Sequence, residues 1–493
     1  MQSRSRRARG ALPLAFSALL AAALPAQQPA AAPARALTLQ DAINLAQRQG
    51  LAASAARSAR DESRAHDRAF NARLLPQVSL QGDVANYRHA FVGVLTENGT
   101  QFAPQTQNES FMGVTVAQPL PWFGGTLKLS SLLDRVDITG NAVSRTWTST
   151  PFQIELDQDL FRPRELLWDS RQQSLNASIA ERQYLEARED VAATTASAFF
   201  DYYAAAVALQ NATTNAAVND TLYTLNKGRY EVGKIGENDL LASELALLNA
   251  RASVDGARLE RDRSESALRR LINVHSTDTL AIVAPNQVPA IEVAPDLAVA
   301  EAFKNASVVQ QSELEAVIAK RRETEARFKN GFNASLGAGY GMNQSSSLFG
   351  LAYASPLPKQ SFHLGVTMPF FQWGGGRADI QAARAEQARV ASVARGRREQ
   401  LEEDARYAAL QLTQSLRLLA ISAKADTVAS KRFEVAKNRY VIGKIGISDL
   451  FIAQNEKNQA LTSYIQALRG FWTGYYRLRR VTLYDFAQKS ELQ

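Results

Sequence analysis

A twelve-residue segment occurs twice in the chain, and this repeat constrains the fold more than any other sequence feature. Residues 229–240 read RYEVGKIGENDL and residues 439–450 read RYVIGKIGISDL, with eight identical positions at a constant offset of 210 residues. The same offset aligns Phe161 with Phe371, and each ends a strand-like segment before a long helical one. Repetition at a fixed offset indicates two copies of one structural unit. We predict a first repeat at 37–285 and a second at 286–493, each with a helix, two strands and a helical hairpin.

The placement of proline marks two long helical regions. No proline occurs from residue 164 to 284 or after residue 369, and a proline inside a helix costs about 3 kcal/mol. Both stretches are rich in Ala, Leu, Glu, Gln and Arg, so each predicts two helices joined at the repeated segment. From Arg164 to about Lys227 we predict a helix of roughly 64 residues and about 95 Å. That length exceeds any ordinary globular core.

Four segments between the helical regions alternate between apolar and polar residues, which predicts β-strands. They begin near Val78, Phe152, Phe332 and Phe362. The alternation suits either an antiparallel sheet on a soluble core or a membrane barrel with a wet lumen. In a barrel, the polar positions Gln81, Asp83, Glu155 and Asp157 would face the lumen. Since a barrel needs about eight strands, a chain with four must oligomerise to close one.

Aromatic residues and an insert complete the prediction for the sheet. A second, fainter offset of 256 pairs 76–80 with 332–336, so the first repeat carries about 46 extra residues between its strands. This insert contains two more strand-like pieces, at 111–117 and 126–130, and forms either an external loop, which we favour, or a hairpin that extends the barrel wall.

Aromatic side chains near strand ends are typical of membrane interfaces; they are Tyr87, Phe91, Tyr340, Phe349, Tyr353, Phe370 and Phe371.

The N-terminus predicts export. Residues 1–26 place four arginines before an apolar run from Ala11 to Ala23, which is the pattern of a secretory signal peptide. That run is too short to span a bilayer, which takes about 20 residues. No later segment has 18 consecutive apolar residues, so we expect any membrane part of the mature chain to be β-structure. The absence of cysteine excludes disulfides and thiolate metal sites.

Charge and motif content argue against nucleic-acid binding and against catalysis. Without the four N-terminal arginines, 52 basic residues face 48 acidic ones, and no basic run remains to neutralise phosphates. The four histidines are scattered and show no metal or nucleophile spacing. Gly337, Gly339 and Gly341 lie on an alternating strand rather than a strand-to-helix turn, so they are no dinucleotide site. We predict no enzyme activity, cofactor, metal or nucleic-acid partner.

Two repeated tips, four strands and a signal peptide in this order resemble the TolC-like outer-membrane efflux and secretion proteins, from Leu37 to about Phe486. The opening Leu37–Ile43 is similar to the first helix start of that family. The resemblance implies an α+β membrane protein: a trimer with a twelve-stranded β-barrel, four strands per chain, continued by a long periplasmic α-helical barrel. Its role would be a passive conduit in a tripartite efflux pump or a type I secretion system.

The resemblance also implies partners and a location. A family member sits in the outer-membrane lipid of a Gram-negative bacterium and docks with a periplasmic adaptor and a proton-driven or ATP-driven inner-membrane transporter. The tips would face the adaptor, through Arg229, Tyr230, Gly233, Gly236, Arg439, Gly443 and Gly446. These glycines are also typical of the φ > 0 turn between antiparallel helices.

The resemblance assigns a periplasmic entrance, and this chain departs from the family pattern there. Tyr440 and Asp239 match a tyrosine and an aspartate that hold the entrance closed, and Asp449 matches a constriction aspartate. Ile445 stands where the family has an arginine, and Ile452 replaces a second aspartate. We therefore expect one carboxylate ring and a gate that differs in detail.

The alternative function is a periplasmic coiled-coil structural or adaptor protein without a pore. An adaptor usually has one helical hairpin beside a small β-domain, whereas this chain has two hairpins in tandem with barrel-like strands. The location of the protein distinguishes the two, because a pore stays with the outer membrane.

Overall fold

A computed structural model describes residues 37–96, 99–140, 143–275, 280–283, 285, 288–289 and 291–492. The predicted signal peptide at 1–26 lies outside these residues. Among the helices that the structure describes, none combines the length and the apolar character needed to cross a bilayer.

The described residues of the first half of the chain form four helices and five strands. Its elements are β1 (Leu37–Thr38), α1 (Leu39–Gln49), α2 (Leu51–Arg73), β2 (Gln77–Thr96), β3 (Gly99–Leu120), β4 (Gly125–Gly140), β5 (Ser144–Asp159), α3 (Glu165–Glu231) and α4 (Glu237–Ile272). Thr38 caps α1, because its hydroxyl oxygen accepts the Asp41 N–H at 3.1 Å.

The second half repeats the helices and adds a short 3-10 helix. Its elements are β6 (Ile282–Val283), α5 (Pro295–Asn305), α6 (Ser307–Lys329), β7 (Asn333–Ser346), the 3-10 helix η1 (Phe349–Tyr353), β8 (Leu357–Thr367), α7 (Gly375–Val441), α8 (Ile447–Thr482), β9 (Tyr484–Asp485) and β10 (Ser490–Glu491).

Corresponding helices of the two halves have identical lengths. They contain 11, 23, 67 and 36 residues in chain order in each half. The helix predicted from Arg164 to about Lys227 is α3, which starts one residue later and continues to Glu231. At 1.5 Å per residue, α3 and α7 are each about 100 Å long.

Six strands form one antiparallel sheet in the order β2-β3-β4-β5-β7-β8. Four of them, β2, β5, β7 and β8, are the strands predicted from alternation. The insert supplies β3 and β4, so it extends the sheet and is not the external loop that we favoured. The sheet therefore has two more strands than the four predicted for each chain. Its outer strands, β2 and β8, each pair on one side only.

The four long helices lie side by side in the order α4-α3-α8-α7. In this layer α3 packs on α4 and α8, and α7 packs on α8. The main core lies about midway along the layer, where α1 and the C-terminal segment also pack. Its largest fully buried side chains are Ile43, Phe199, Phe200, Leu268, Ile272, Leu412, Leu468, Phe471 and Leu478. This core fixes the helices to one another between the sheet and the tips.

A buried ion cluster joins α3, α8 and the C-terminal segment beside this core. The Arg479 guanidinium lies between two carboxylates, 2.9 Å from Glu189 and 3.1 Å from Asp485. The Tyr475 hydroxyl donates to Asp485 at 2.9 Å. Burial raises the pKa of Tyr475 to about 12, which keeps this donor protonated. The two carboxylates are almost fully buried and share Arg479 as a cation, and Arg188 lies 4.0 Å from Glu189 as a second cation.

We expect Arg479→Leu to destabilise the folded chain by about 3–5 kcal/mol, because it removes the cation that two buried carboxylates share. Thermal unfolding of the detergent-solubilised protein measures this loss. Arg477→Leu on the same helix is the matched control, since Arg477 is exposed, and its melting temperature should stay close to that of the unmodified protein. Equal melting temperatures for the two variants would contradict the structural role of Arg479.

Candidate functional site: the sheet faces and the helical tips

The sheet has one apolar face and one polar face across all six strands. The strand register aligns an apolar row over five strands, Val78–Val116–Leu129–Ile154–Tyr340. Its neighbour on β8 is Gln360, and β8 contributes Phe362 and Leu364 to the same face. The next row on the opposite face is polar, Ser79–Thr115–Ser130–Gln153–Gly341–Lys359. Side chains alternate between the two faces along a strand. The row in which a residue lies therefore shows on which face of the sheet its side chain is found.

The predicted lumen residues Gln81, Asp83, Glu155 and Asp157 all lie on the polar face, since each is an even number of residues from Ser79 or Gln153 with no bulge between them. Asp157 pairs with Lys128 of the neighbouring strand at 2.6 Å. Both side chains are more than a third exposed, so water screens this pair and it adds little to stability. The polar face thus carries paired and unpaired charges that need an aqueous environment.

A glycine stripe runs along the polar face of β7. Gly337, Gly339 and Gly341 lie between charged or polar residues of β5 and β8. A side chain at Gly341 would meet the Phe152 carbonyl, since a Cβ there would lie 2.5 Å from its oxygen. Across this stripe, the Lys359 ammonium donates to Gln153 at 3.3 Å. Glycine therefore lets the side chains of β5 and β8 meet over the strand between them.

Aromatic residues cluster where the sheet meets the helices. Phe370 and Phe371, both predicted as interfacial, lie just after β8, and Phe371 packs edge-on against Trp373 at 4.6 Å between ring centroids. Trp122 and Phe123 occupy the turn between β3 and β4 and are exposed. The alternation pattern missed these two and Trp373. Tyr340, predicted near a strand end, lies in the middle of β7 on the apolar face.

Both tips form the same turn. Gly233 and Gly443 have φ of +70° and +73°, and their N–H groups donate to the carbonyl oxygens of Tyr230 and Tyr440 at 2.8 and 2.9 Å. Positive φ at these positions favours glycine. Gly236 and Gly446 differ from the prediction, because each has an extended backbone and precedes the next helix. The half-buried Arg229 and the exposed residues Tyr230 and Arg439 flank these turns.

The two tip tyrosines occupy different environments despite their identical sequence context. Tyr440 is 5% exposed and packs with Leu222 and Leu450, whereas Tyr230 is 41% exposed. The Arg229 guanidinium lies 5.9 Å from the centroid of the Tyr440 ring, within cation–π range. In the part of the chain that the structure describes, no hydrogen bond joins Tyr440 to Asp239.

Asp239 and Asp449 occupy equivalent exposed positions at the starts of α4 and α8. The Asp449 carboxylate accepts the Gly446 N–H at 3.3 Å, and an acidic residue in the first helical turn also interacts favourably with the helix dipole. Ile445, which stands at the position of the family arginine, packs against the cluster of Leu222, Tyr440 and Leu450. The isoleucine therefore adds apolar packing where an arginine would add a charge.

Two exposed apolar stripes lie on the outer helices of the four-helix layer, and the sequence analysis missed both. On α4 the stripe comprises Leu241, Leu245, Leu248 and Leu259; on α7 it comprises Tyr407, Leu410, Leu418, Ile421, Val428 and Val435. Several members recur every seven residues, which is the spacing of a helix-packing seam. That heptad spacing was the available sequence signal.

Comparisons with known proteins agree with this architecture. Residues 40–274 match the family model described as outer membrane efflux protein. The chain is similar to the CmeC outer membrane channel of Campylobacter jejuni, with 14% identity, a TM-score of 0.65 and coverage of 92% of this chain and 86% of that one. It is also similar to the open state of the MtrE outer membrane channel of Neisseria gonorrhoeae, with 16% identity, a TM-score of 0.61 and coverage of 90% and 88%.

A membrane protein from Pseudomonas aeruginosa has 16% identity and a TM-score of 0.64, with coverage of 90% of this chain and 93% of that one. No curated protein sequence matches the chain. At these identities the structural likenesses establish the fold.

Cysteine labelling tests the assignment of the two faces in a chain that has no native cysteine. With the protein in lipid vesicles, Asp157→Cys should react readily with a small hydrophilic thiol reagent, because its face meets water. Leu156→Cys lies at the same depth on the apolar face and should react poorly. Equal labelling of the two positions would refute the assignment.

Proposed function

We propose that the protein is an outer-membrane channel subunit, because residues 40–274 match the outer membrane efflux protein family model and the chain has the fold of TolC-like channels. Its role is a passive conduit in a tripartite efflux pump or a type I secretion system, for small molecules or polypeptides. The observation that carries this proposal is the six-stranded sheet, apolar on one face, polar on the other and open at both edges.

The open edges support a closed oligomer. In a bilayer an unpaired backbone N–H or C=O costs several kcal/mol, so a lipid-exposed sheet edge is not tolerated. The strands alternate in direction, so β2 and β8 at the two edges are antiparallel. When β2 of one copy pairs with β8 of the next, this pair is also antiparallel and the alternation continues around the barrel. Three copies, as the family resemblance implies, close the sheet into a barrel with its polar face inside.

The apolar stripes on α4 and α7 support the same arrangement below the membrane. The two helices lie at opposite edges of the layer, so α4 of one copy meets α7 of the next when the copies form a ring. Burying the two stripes against each other removes them from water, at about 25 cal/mol per Å² of apolar surface. The helices then continue the barrel through the periplasm.

The tips provide the partner-facing end of this conduit. Arg229, Arg439 and the two turns lie farthest along the helices from the sheet, and they meet the periplasmic adaptor of an inner-membrane transporter driven by protons or ATP. A Tyr440 to Asp239 hydrogen bond belongs to the closed, assembled state of the entrance. In the single chain the Tyr440 ring instead lies near Arg229.

The alternative, a periplasmic adaptor or structural coiled coil without a pore, gives no role to the apolar face of the sheet. Val78, Leu80, Phe362 and Leu364 on that face are all more than half exposed, which is unfavourable in the aqueous periplasm. Fractionation separates the two proposals, since an adaptor leaves with the periplasm or inner membrane.

The entrance can be tested through Asp449, because three copies around the axis form a carboxylate ring that favours cations. In planar bilayers, Asp449→Asn should lower the cation preference and weaken block by multivalent cations. Asparagine retains an oxygen that can accept the Gly446 N–H, so the change removes charge while the cap persists.

Asp255→Asn is the control, because it removes the same charge from an exposed position of α4 away from the tips. It should leave the selectivity nearly unchanged. Selectivity and block that are identical in Asp449→Asn and the unmodified channel would show that Asp449 only starts a helix. A protein that forms no channels at all would contradict the proposed function itself.

A further inference from the structure

The β3–β4 hairpin is a full part of the sheet. The row Val78–Val116–Leu129–Ile154 passes through both strands without a register shift, and so does Ser79–Thr115–Ser130–Gln153. The hairpin thus separates β2 from β5, which would be neighbours in a four-stranded arrangement. Its apolar face continues that of the flanking strands at the same level.

The turn of the hairpin is tied to the junctions between sheet and helices. On one side, the Gln118 side-chain amide donates to the Leu74 carbonyl, just after α2, at 2.9 Å. On the other, the Gln158 side-chain amide donates to the Phe123 carbonyl at 2.7 Å. The turn therefore lies in line with the ends of the other strands, next to α2 and the start of α3.

We propose that three copies of this chain close an eighteen-stranded barrel, with β3 and β4 of each copy in the membrane wall. This inference rests on the proposed function and deepens it by defining the pore. With strands about 4.8 Å apart and tilted near 40°, eighteen strands enclose a barrel about 36 Å across between backbones, against about 24 Å for twelve. The extra hairpin widens the barrel by a factor of about 1.5.

The helical layer has no matching insertion. Each chain contributes α3, α4, α7 and α8 to the layer, so three copies supply twelve helices. At 8–10 Å between axes, these form a ring about 30–38 Å across. The diameter of the wider β-barrel matches the diameter of this ring, so the barrel is no narrower than the helical part of the conduit.

Single-cysteine variants test whether the hairpin lies in the wall. Val116→Cys and Leu129→Cys lie on the apolar face, and Thr115→Cys and Ser130→Cys lie beside them on the polar face. The protein is reconstituted in phosphatidylcholine vesicles and treated with a small hydrophilic maleimide. Thr115→Cys and Ser130→Cys should react at least ten-fold faster than their neighbours. A fluorophore on Val116→Cys or Leu129→Cys should be quenched by lipids that carry a nitroxide on the acyl chain.

Leu156→Cys and Asp157→Cys on β5 serve as the reference pair, because β5 belongs to the wall in either arrangement. If the reference pair differs while all four hairpin positions react alike and escape quenching by lipid, the hairpin is an external loop and the eighteen-stranded barrel is refuted. If the reference pair also fails to differ, the membrane channel itself is refuted. Each strand of the hairpin carries one position on each face. If one variant folds poorly, the pair on the other strand still gives the comparison.

Discussion

The structure depends on backbone hydrogen bonds that one chain cannot complete. Every strand of the sheet has two neighbours except β2 and β8, and each of these has one row of N–H and C=O groups without a strand partner. Water can satisfy such groups, but the interior of a bilayer cannot. In the proposed channel, the apolar face of the same sheet lies against the bilayer. These two requirements are compatible only when copies of the chain pair edge to edge.

The long helices follow from the same constraint. In a ring of copies, each chain forms one sector of the β-barrel and one sector of the helical barrel. The two repeats of the chain supply two helical hairpins of equal length for the helical sector. The central core and the buried Arg479 cluster hold the two hairpins together within a chain. We propose that the exposed stripes on α4 and α7 form the contacts between chains.

The sequence predicted local periodic features well and tertiary pairing poorly. The helices could be predicted because proline-free, Ala-rich stretches and the constant offset of 210 residues are encoded along the chain. The hairpin was harder, because Pro104 and Pro119 lie inside β3 and proline lacks the N–H of a strand ladder. Only pairing with β2 and β4, which is non-local, makes that segment a continuous strand. Tyr230 and Tyr440 show the same limit: their sequence contexts match, but only Tyr440 is buried, since Leu222 of α3 packs beside it.

The most direct test is electron cryomicroscopy of the purified protein in lipid nanodiscs, with a cross-section through the membrane part. We expect three copies of the chain, eighteen strands in the wall, and the polar face of the sheet inside. A wall of twelve strands with β3 and β4 outside the bilayer would contradict the assignment of the hairpin. A folded monomer with both sheet edges in lipid would contradict the central claim that the chain must be completed by its copies.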